Sequence, residues 1–271
     1  MSITSRLNKA FSQAPVLPLT KCSRYVLVSD CHRGTGTSSD NFLKNQHLYY
    51  AALEHYYRGG FTYIELGDGE ELWENRKLKN IIEIHEDAYC LLARFKAQGR
   101  LHLLYGNHNI VRRKDPAYQE AIILRPDSSP ENSLYLTHGH QASLLNSTLW
   151  PLARFLVRYL WNPLEGLGFL DPTSAAKNYD VKEKCEEALR NWAESQHHIL
   201  ITGHTHRPVL PEEPACYYNT GSCVHPRCIT CIEIERGLMT LVKWSTNARA
   251  DSTLYVAREV ISGPIPIHSE P

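Results

Sequence analysis

YVLVSDCH, residues 25–32, is an apolar and β-branched run that stops abruptly at a serine, an aspartate and a histidine. A short continuous run of this kind, closed by polar residues, reads as a buried strand with its functional groups at the carboxyl end. Four further stretches repeat the pattern: TYIELGDGEE (62–71), LHLLYGNHN (101–109), SLYLTHGH (133–140) and HILITGHTH (198–206). Helical apolar spacing from Phe42 to Tyr57 and from Leu78 to Lys96 separates the first three, giving the order strand, helix, strand, helix, strand. That order predicts an α/β fold with parallel βαβ units. Ligands of such sheets collect beyond the carboxyl ends of the strands, which is where all five polar clusters fall.

The chain that carries these runs has 271 residues, 42% hydrophobic and 21% charged, so a folded globular protein is expected rather than a disordered or fibrous one. With 29 basic and 29 acidic residues it lacks the broad positive field of a protein that grips nucleic acid, and no extended nucleic-acid binding is expected. No apolar run approaches the ~18 residues of a membrane span, and Met1 to Thr20 has no continuous apolar stretch of the signal-peptide kind. A cytoplasmic location follows as the expectation. The eight cysteines are scattered from Cys22 to Cys231 and read as reduced thiols. Cys223, Cys228 and Cys231 have no fourth ligand at a recognised spacing other than His225, which argues against a structural zinc.

Asp30, His32, Asp68, Asn107, His138, His204 and His206 are all oxygen or imidazole donors, the types that bind divalent transition metals. Asp30 with His32, and His204 with His206, stand two apart in extended segments, so each pair can point to one side. Asp and Gly at a single strand end are ordinary turn chemistry. Five such ends in register make a shared site the better reading.

At these residues the chain resembles the calcineurin-like metallophosphoesterases, whose motifs are D-x-H, G-D, G-N-H-D/E, an H-G or G-H element and G-H-x-H. Here they are Asp30-Cys31-His32, Gly67-Asp68, Gly106-Asn107-His108-Asn109, His138-Gly139-His140 and Gly203-His204-Thr205-His206, in order over residues 25 to about 245. The resemblance implies a four-layer αββα sandwich, with Cys216 to Asn219, Cys228 to Glu235 and Leu238 to Trp244 completing the second sheet and a hairpin at Glu235-Arg236-Gly237. It further implies two divalent metal ions: one on Asp30, His32 and His206, the other on Asn107, His138 and His204, with Asp68 bridging. Manganese is the expected metal, and iron, zinc, cobalt or nickel suit the same donors. Two such ions against two carboxylates leave a net charge of about +2, which favours a phosphate guest. The implied reaction is hydrolysis of a phosphoester or phosphoanhydride by a hydroxide shared between ions about 3.5–4 Å apart.

His108 would, by the same resemblance, stabilise developing charge or protonate the leaving group. The family's carboxylate at the next position is replaced here by Asn109, with Glu71 a conceivable substitute. Arg33 and Arg207, each directly after a ligand pair, and Arg112 are expected at the rim as phosphate-binding residues, whereas Arg113 and Lys114 read as solvated loop charges.

Sixty-five residues, 139–203, separate His138 from the last histidine pair, which implies a helical cap insertion at about 143–195 within a single domain spanning 1–271. Its first half, LWPLARFLVRYLWNPLEGLGFL (149–170), places Arg154 and Arg158 four apart on an apolar helix. That composition suits a cap for an amphiphilic substrate, peripheral contact with a membrane surface, or packing on the sandwich or a second subunit. Val181 to Ser195 reads as an amphipathic helix. Gly67 to Trp73, G-D-x-x-E-x-W, and Gly203 to Pro208, G-H-T-H-R-P, are similar to the lipid A pathway enzymes that cleave the pyrophosphate of UDP-2,3-diacylglucosamine, although those enzymes have G-N-R-D at the third motif. The expected substrate is a phosphorylated small molecule, cleaved as a phosphodiester, or a nucleotide-linked lipid pyrophosphate. A non-catalytic metal-bound scaffold is the contrasting class.

Overall fold

The computed structural model describes residues 2–37, 40–127, 129–161 and 179–267. Its centre is a parallel run of β2 (Arg24–Val28), β3 (Thr62–Leu66) and β4 (Leu101–Leu104), extended on one side by the short β5 (Tyr118–Gln119). Between β2 and β3 lies α2 (Gln46–Arg58); between β3 and β4 lie α3 (Leu78–Ile84) and α4 (Glu86–Ala97). The single helical segment expected at 78–96 is thus two helices, broken at His85. Glu86 and Asp87 in the first turn of α4, and Arg94 and Lys96 in its last, complement the helix dipole.

The other edge of this sheet corrects an expectation. The strands β10 (Cys228–Glu235) and β11 (Leu238–Ala248) do not complete the second sheet: β10 runs antiparallel to β2, and β11 and β12 (Leu254–Pro266) follow outward, making seven strands. The reason is that β10 and β11 are apolar on both faces. Ile232, Ile234, Met239 and Leu241 pack between the sheets, while Cys231, Val242 and Trp244 pack with α2 and α4. Only a strand with a covered second face needs that pattern. The hairpin at Arg236-Gly237 forms as expected, both residues taking the positive φ of a two-residue turn.

The second sheet has the order β1 (Val16–Pro18), β6 (Ala121–Arg125), β7 (Leu134–Thr137), β8 (Ile199–Thr202) and β9 (Tyr217–Asn219). Ile122, Leu124, Leu134, Leu136 and Ile201 meet Leu27, Ile64, Leu66 and Leu104 of the first sheet in the central core. The outer face of this sheet is covered by α1 (Ile3–Ser12) and a long helix, Tyr179–Gln196, through Leu7, Phe11, Leu189 and Trp192. The layers are therefore helix, sheet, sheet, helix, and the expected four-layer αββα sandwich is what the chain forms.

After β7 the chain enters α5 (Leu144–Ser147) and α6 (Trp150–Leu156), which runs into a wider turn at Val157–Trp161. The long helix that follows is α7 (Tyr179–Gln196). The remainder of the expected cap, 162–178, lies outside the described residues. Leu144, Leu149, Leu152, Phe155 and Tyr159 are exposed along α5, α6 and the turn, whereas Arg158 is docked, donating to the carbonyls of Trp73 at 2.7 Å and Leu72 at 3.0 Å.

Candidate metal centre

The carboxyl ends of β2, β3, β4, β7 and β8 converge on one place. Asp30 and His32 come from the turn after β2, Asp68 from the end of β3, Asn107 from the end of β4, His138 from the end of β7, and His204 and His206 from the turn after β8. The turns are laced together by backbone: Asp30 donates to the Gly67 carbonyl at 3.1 Å, His32 to that of Asp68 at 2.8 Å and Gly203 to that of His138 at 3.0 Å. Asp30, His32, Asp68, His204 and His206 all adopt positive φ between 48° and 68°. Side chains other than glycine reach this region at a conformational cost, and its concentration at one edge of the fold marks a functional turn set. The glycines beside them are needed for closeness: a Cβ on Gly106 would fall 2.2 Å from Asp68 Oδ1, and one on Gly203 2.4 Å from Asp30 Oδ2.

The donor atoms face one another at the separations of ligands around shared cations. His206 Nε2 is 3.1 Å from Asp30 Oδ1 and 3.3 Å from His32 Nε2. His138 Nε2 is 3.0 Å from Asp68 Oδ2 and 3.3 Å from Asn107 Oδ1. Asp68 Oδ2 also lies 3.9 Å from His32 Nε2, so one carboxylate oxygen faces both groups. Asp30 with His32 and His206, and Asp68 with His138 and His204, each form a compact potential ligand set, and no cysteine joins any such set among the described residues.

Two observations test whether cations fit. Asp30 Oδ1 is buried without a well-aligned hydrogen bond, and what faces it is a ring of imidazole nitrogens, His206 Nε2 at 3.1 Å, His32 Nε2 at 3.8 Å and His138 Nε2 at 4.0 Å, an arrangement that a shared cation would satisfy. The second is the electrostatics of the bare cluster. Burial alone would lower the pKa values of His32 and His138, but the facing carboxylates, Asp30 and Glu71 for the first and Asp68 and Asp30 for the second, outweigh it and raise both. Protons are thus drawn to where positive charge is wanted, and metal binding would displace them. Burial, then the charge of His138, pushes His204 down to about 3, leaving a neutral imidazole suited to coordination. The outer contacts are in place as well: His138 Nδ1 donates to the Leu66 carbonyl at 2.8 Å and His32 Nδ1 to Glu71 Oε2 at 2.9 Å, which directs each Nε2 inward.

His108 stands beside this cluster with its Nδ1 2.8 Å from Glu71 Oε1 and its ring stacked on Trp73, centroids 4.5 Å apart. Burial opposes charging of the ring, yet the Glu71 and Asp68 carboxylates raise its pKa. The Glu71 carboxyl, penalised by burial, is nonetheless held down to about 2 by His108 and His32. Glu71 therefore orients His108, the service for which Asn109 offers no carboxylate. Asn109 serves another purpose. Fully buried, it accepts from the Gly106 N–H at 2.6 Å and donates to Glu70 Oε2 at 2.9 Å, fixing the turn that carries Asn107 and His108.

The arginines depart most from expectation. Arg33 is not at the rim: it is 0% exposed, and its guanidinium makes paired 2.9 Å bonds to both oxygens of Glu65. The buried Glu65 carboxylate in β3 demands that partner, and the backbone bridge between Arg33 and Glu70 turns the side chain inward. Arg112 is engaged by Asp115 at 2.6 Å and lies over the Tyr118 ring, so its charge is occupied locally. Arg113 is exposed, as expected of a loop charge, with its guanidinium over the Trp150 ring. Arg207 follows His206 half-exposed and paired with Glu186. Sequence reasoning quoted Trp73 in a motif without a role and missed Glu65, Glu70 and Asn146, whose Nδ2 lies 3.5 Å from His204 Nε2. Glu65 had a signal, a carboxylate inside the otherwise apolar TYIEL; Asn146 had none.

No protein-family model matches the chain, and neither does any curated protein. Among solved structures, vacuolar protein sorting 29 from Cryptosporidium parvum is similar over 89% of this chain and 98% of its own, at 13% identity and a TM-score of 0.43. Vps29 from Chaetomium thermophilum is similar over 89% and 97%, at 11% identity and the same TM-score. Function is read from the residues of the centre rather than from these likenesses.

Proposed function

We propose that this chain is a metal-dependent hydrolase of phosphoesters, with phosphodiesters as its preferred class and two divalent cations, manganese first, as its cofactors. The observation that carries the reading is the convergence of seven oxygen and imidazole donors at one place, with the buried Asp30 Oδ1 faced by imidazole nitrogens. Asp30, His32 and His206 would hold one ion and Asn107, His138 and His204 the other, with Asp68 shared. Such ions supply Lewis acidity toward phosphoryl oxygens and lower the pKa of water. His108, held at Nδ1 by Glu71, keeps Nε2 free to donate to charge developing on the substrate or leaving oxygen. Trp73, stacked on the ring and only 3% exposed, limits its rotation. Arg207 is the remaining candidate for contact with substrate phosphate. The chain acts as one domain with the 143–195 segment inserted.

A lipid-linked pyrophosphate is the second reading, and one contact favours it: Arg158 anchors the exposed apolar face of α6 to Leu72 and Trp73, beside His108. The deciding experiment is hydrolysis of bis-p-nitrophenyl phosphate and p-nitrophenyl phosphate by chelator-stripped protein, with and without manganese, beside Asp68→Asn. Manganese-dependent cleavage absent from the variant supports the enzyme, and the preferred ester separates diesterase from monoesterase. Cleavage of neither, with two metals bound, favours first the lipid pyrophosphate and then a non-catalytic scaffold.

A further inference from the structure

A cleft of about 490 Å³ is lined by Lys44, His47, His225 and Arg227 with no carboxylate among its walls, and His225 lies within electrostatic reach of His206 and Asp30. Lys44 and Arg227 are exposed and form no ion pair among the described residues. His225 Nε2 is buried and has no hydrogen-bond partner, and His47 Nε2 lies 3.1 Å from Thr246 Oγ1. Lys44 and Arg227, with so little to neutralise them, form a local positive wall in a chain of zero formal charge, while burial and the nearby His206 lower the pKa of His225, which adds an imidazole rather than a charge.

The backbone that carries the wall is fastened and is tied to the metal centre. The Cys223 N–H donates to the Asp30 carbonyl at 3.2 Å, so the turn that carries His225 and Arg227 begins on a candidate ligand. From the other side, buried Asn45 directs its Nδ2 at the carbonyls of Cys223, His225 and Cys228, at 2.9, 2.6 and 3.1 Å. Arg227 is fixed in a left-handed turn, φ 64°. Lys44 and Asn45 are neighbours, so one short segment both fastens the turn and supplies a cation. Pre-set donors of this kind bind a compact anion without the cost of ordering a loop.

We propose that this cleft is a phosphate subsite, which holds a second phosphate of the substrate while the phosphoester to be cleaved lies at the metal centre. Arg227 and Lys44 supply charge, and His225 supplies a hydrogen-bond donor at the boundary between the two. The preferred substrates would then be bisphosphates or pyrophosphate-bearing molecules rather than simple esters. Taking the anion as part of a substrate rests on the hydrolase reading; the anion site itself does not.

The test has two arms. In the first, pyrophosphate is titrated calorimetrically into chelator-treated protein, which holds no metal ion to bind it. Wild type should bind, and Lys44→Gln/Arg227→Gln, folded by its melting curve, should bind at least tenfold more weakly. Absent binding by wild type, equal binding by both proteins, or tighter binding of malonate than of pyrophosphate overturns the proposal. In the second arm, manganese-loaded proteins hydrolyse p-nitrophenyl phosphate and adenosine 3′,5′-bisphosphate. The double variant should raise KM about tenfold for the bisphosphate alone, and an equal change for both substrates overturns the subsite. If wild type cleaves neither, the phosphoester reading falls, and the titration still decides the anion site.

Discussion

Asn109 is buried against Glu70, with its amide donating across 2.9 Å to a carboxylate that also accepts from Tyr118 at 2.9 Å. An aspartate at 109 would face that carboxylate without a proton between them. Asn109→Asp should therefore destabilise the fold by about 1–3 kcal/mol, the usual cost of leaving a buried polar group unmatched. Adding Glu70→Gln, which restores a donor, should recover most of that loss; simple additivity of the two changes in denaturant unfolding would refute the pairing. At the centre itself, Asp68→Asn should lose bound metal and turnover together. By contrast, His108→Ala should retain metal and lower kcat by about 10²–10⁴, the range for a positioned acid or base. Metal analysis beside the rate of each purified protein checks both, and an Asp68→Asn protein with full metal and full rate rules out a shared ligand.

Elements explain which of these features are legible in the sequence. Each strand end, such as YVLVSDCH or HILITGHTH, announces itself locally, because an apolar run and its polar stop are adjacent in sequence. The metal-type donors are visible for that reason, and Glu71 for its place in the same cluster. Arg33 is not: nothing in D-C-H-R shows that its charge pairs with Glu65, a partner 32 positions away in the next strand. The sheet that receives β10 and β11 is hidden likewise, since a strand apolar on both faces fits any interior position. The break between α3 and α4 is masked by continuous helical spacing. There His85 closes α3 and its Nε2 lies 2.8 Å from buried Asp40 Oδ2. Burial would raise the Asp40 pKa, but the His85 contact and the Gly36 and Gly34 N–H groups outweigh it and hold it below 3.8. A carboxyl lowered by folding stabilises above its unfolded pKa and loses that contribution as pH falls through the folded value. Stability measured by urea unfolding should thus fall below about pH 4 more steeply in wild type than in Asp40→Asn. Parallel profiles would show that this pair does not couple folding to pH.

At the scale of the molecule, the centre straddles the sandwich. Asp30, His32, Asp68 and Asn107 follow strands of the seven-stranded sheet, whereas His138, His204 and His206 follow strands of the five-stranded one. The two sheets otherwise meet through apolar side chains, so cations shared across the seam would join the layers where the strained turns crowd like charges together. Binding to the folded state alone stabilises it by about 2.7 kcal/mol at a hundredfold excess over Kd. For a chain of this size that corresponds to roughly 5–10 °C in Tm. Manganese should raise the melting temperature of chelator-stripped protein by that amount, EDTA should reverse it, and Asp68→Asn should show little of it. The seam makes a sharper demand. His32→Ala removes a donor from one sheet and His138→Ala a donor from the other, and each should abolish most of the shift if both layers hold the ions. A variant that keeps the full manganese shift would place the ions on the opposite sheet alone, and the sandwich would then owe nothing of its closure to metal.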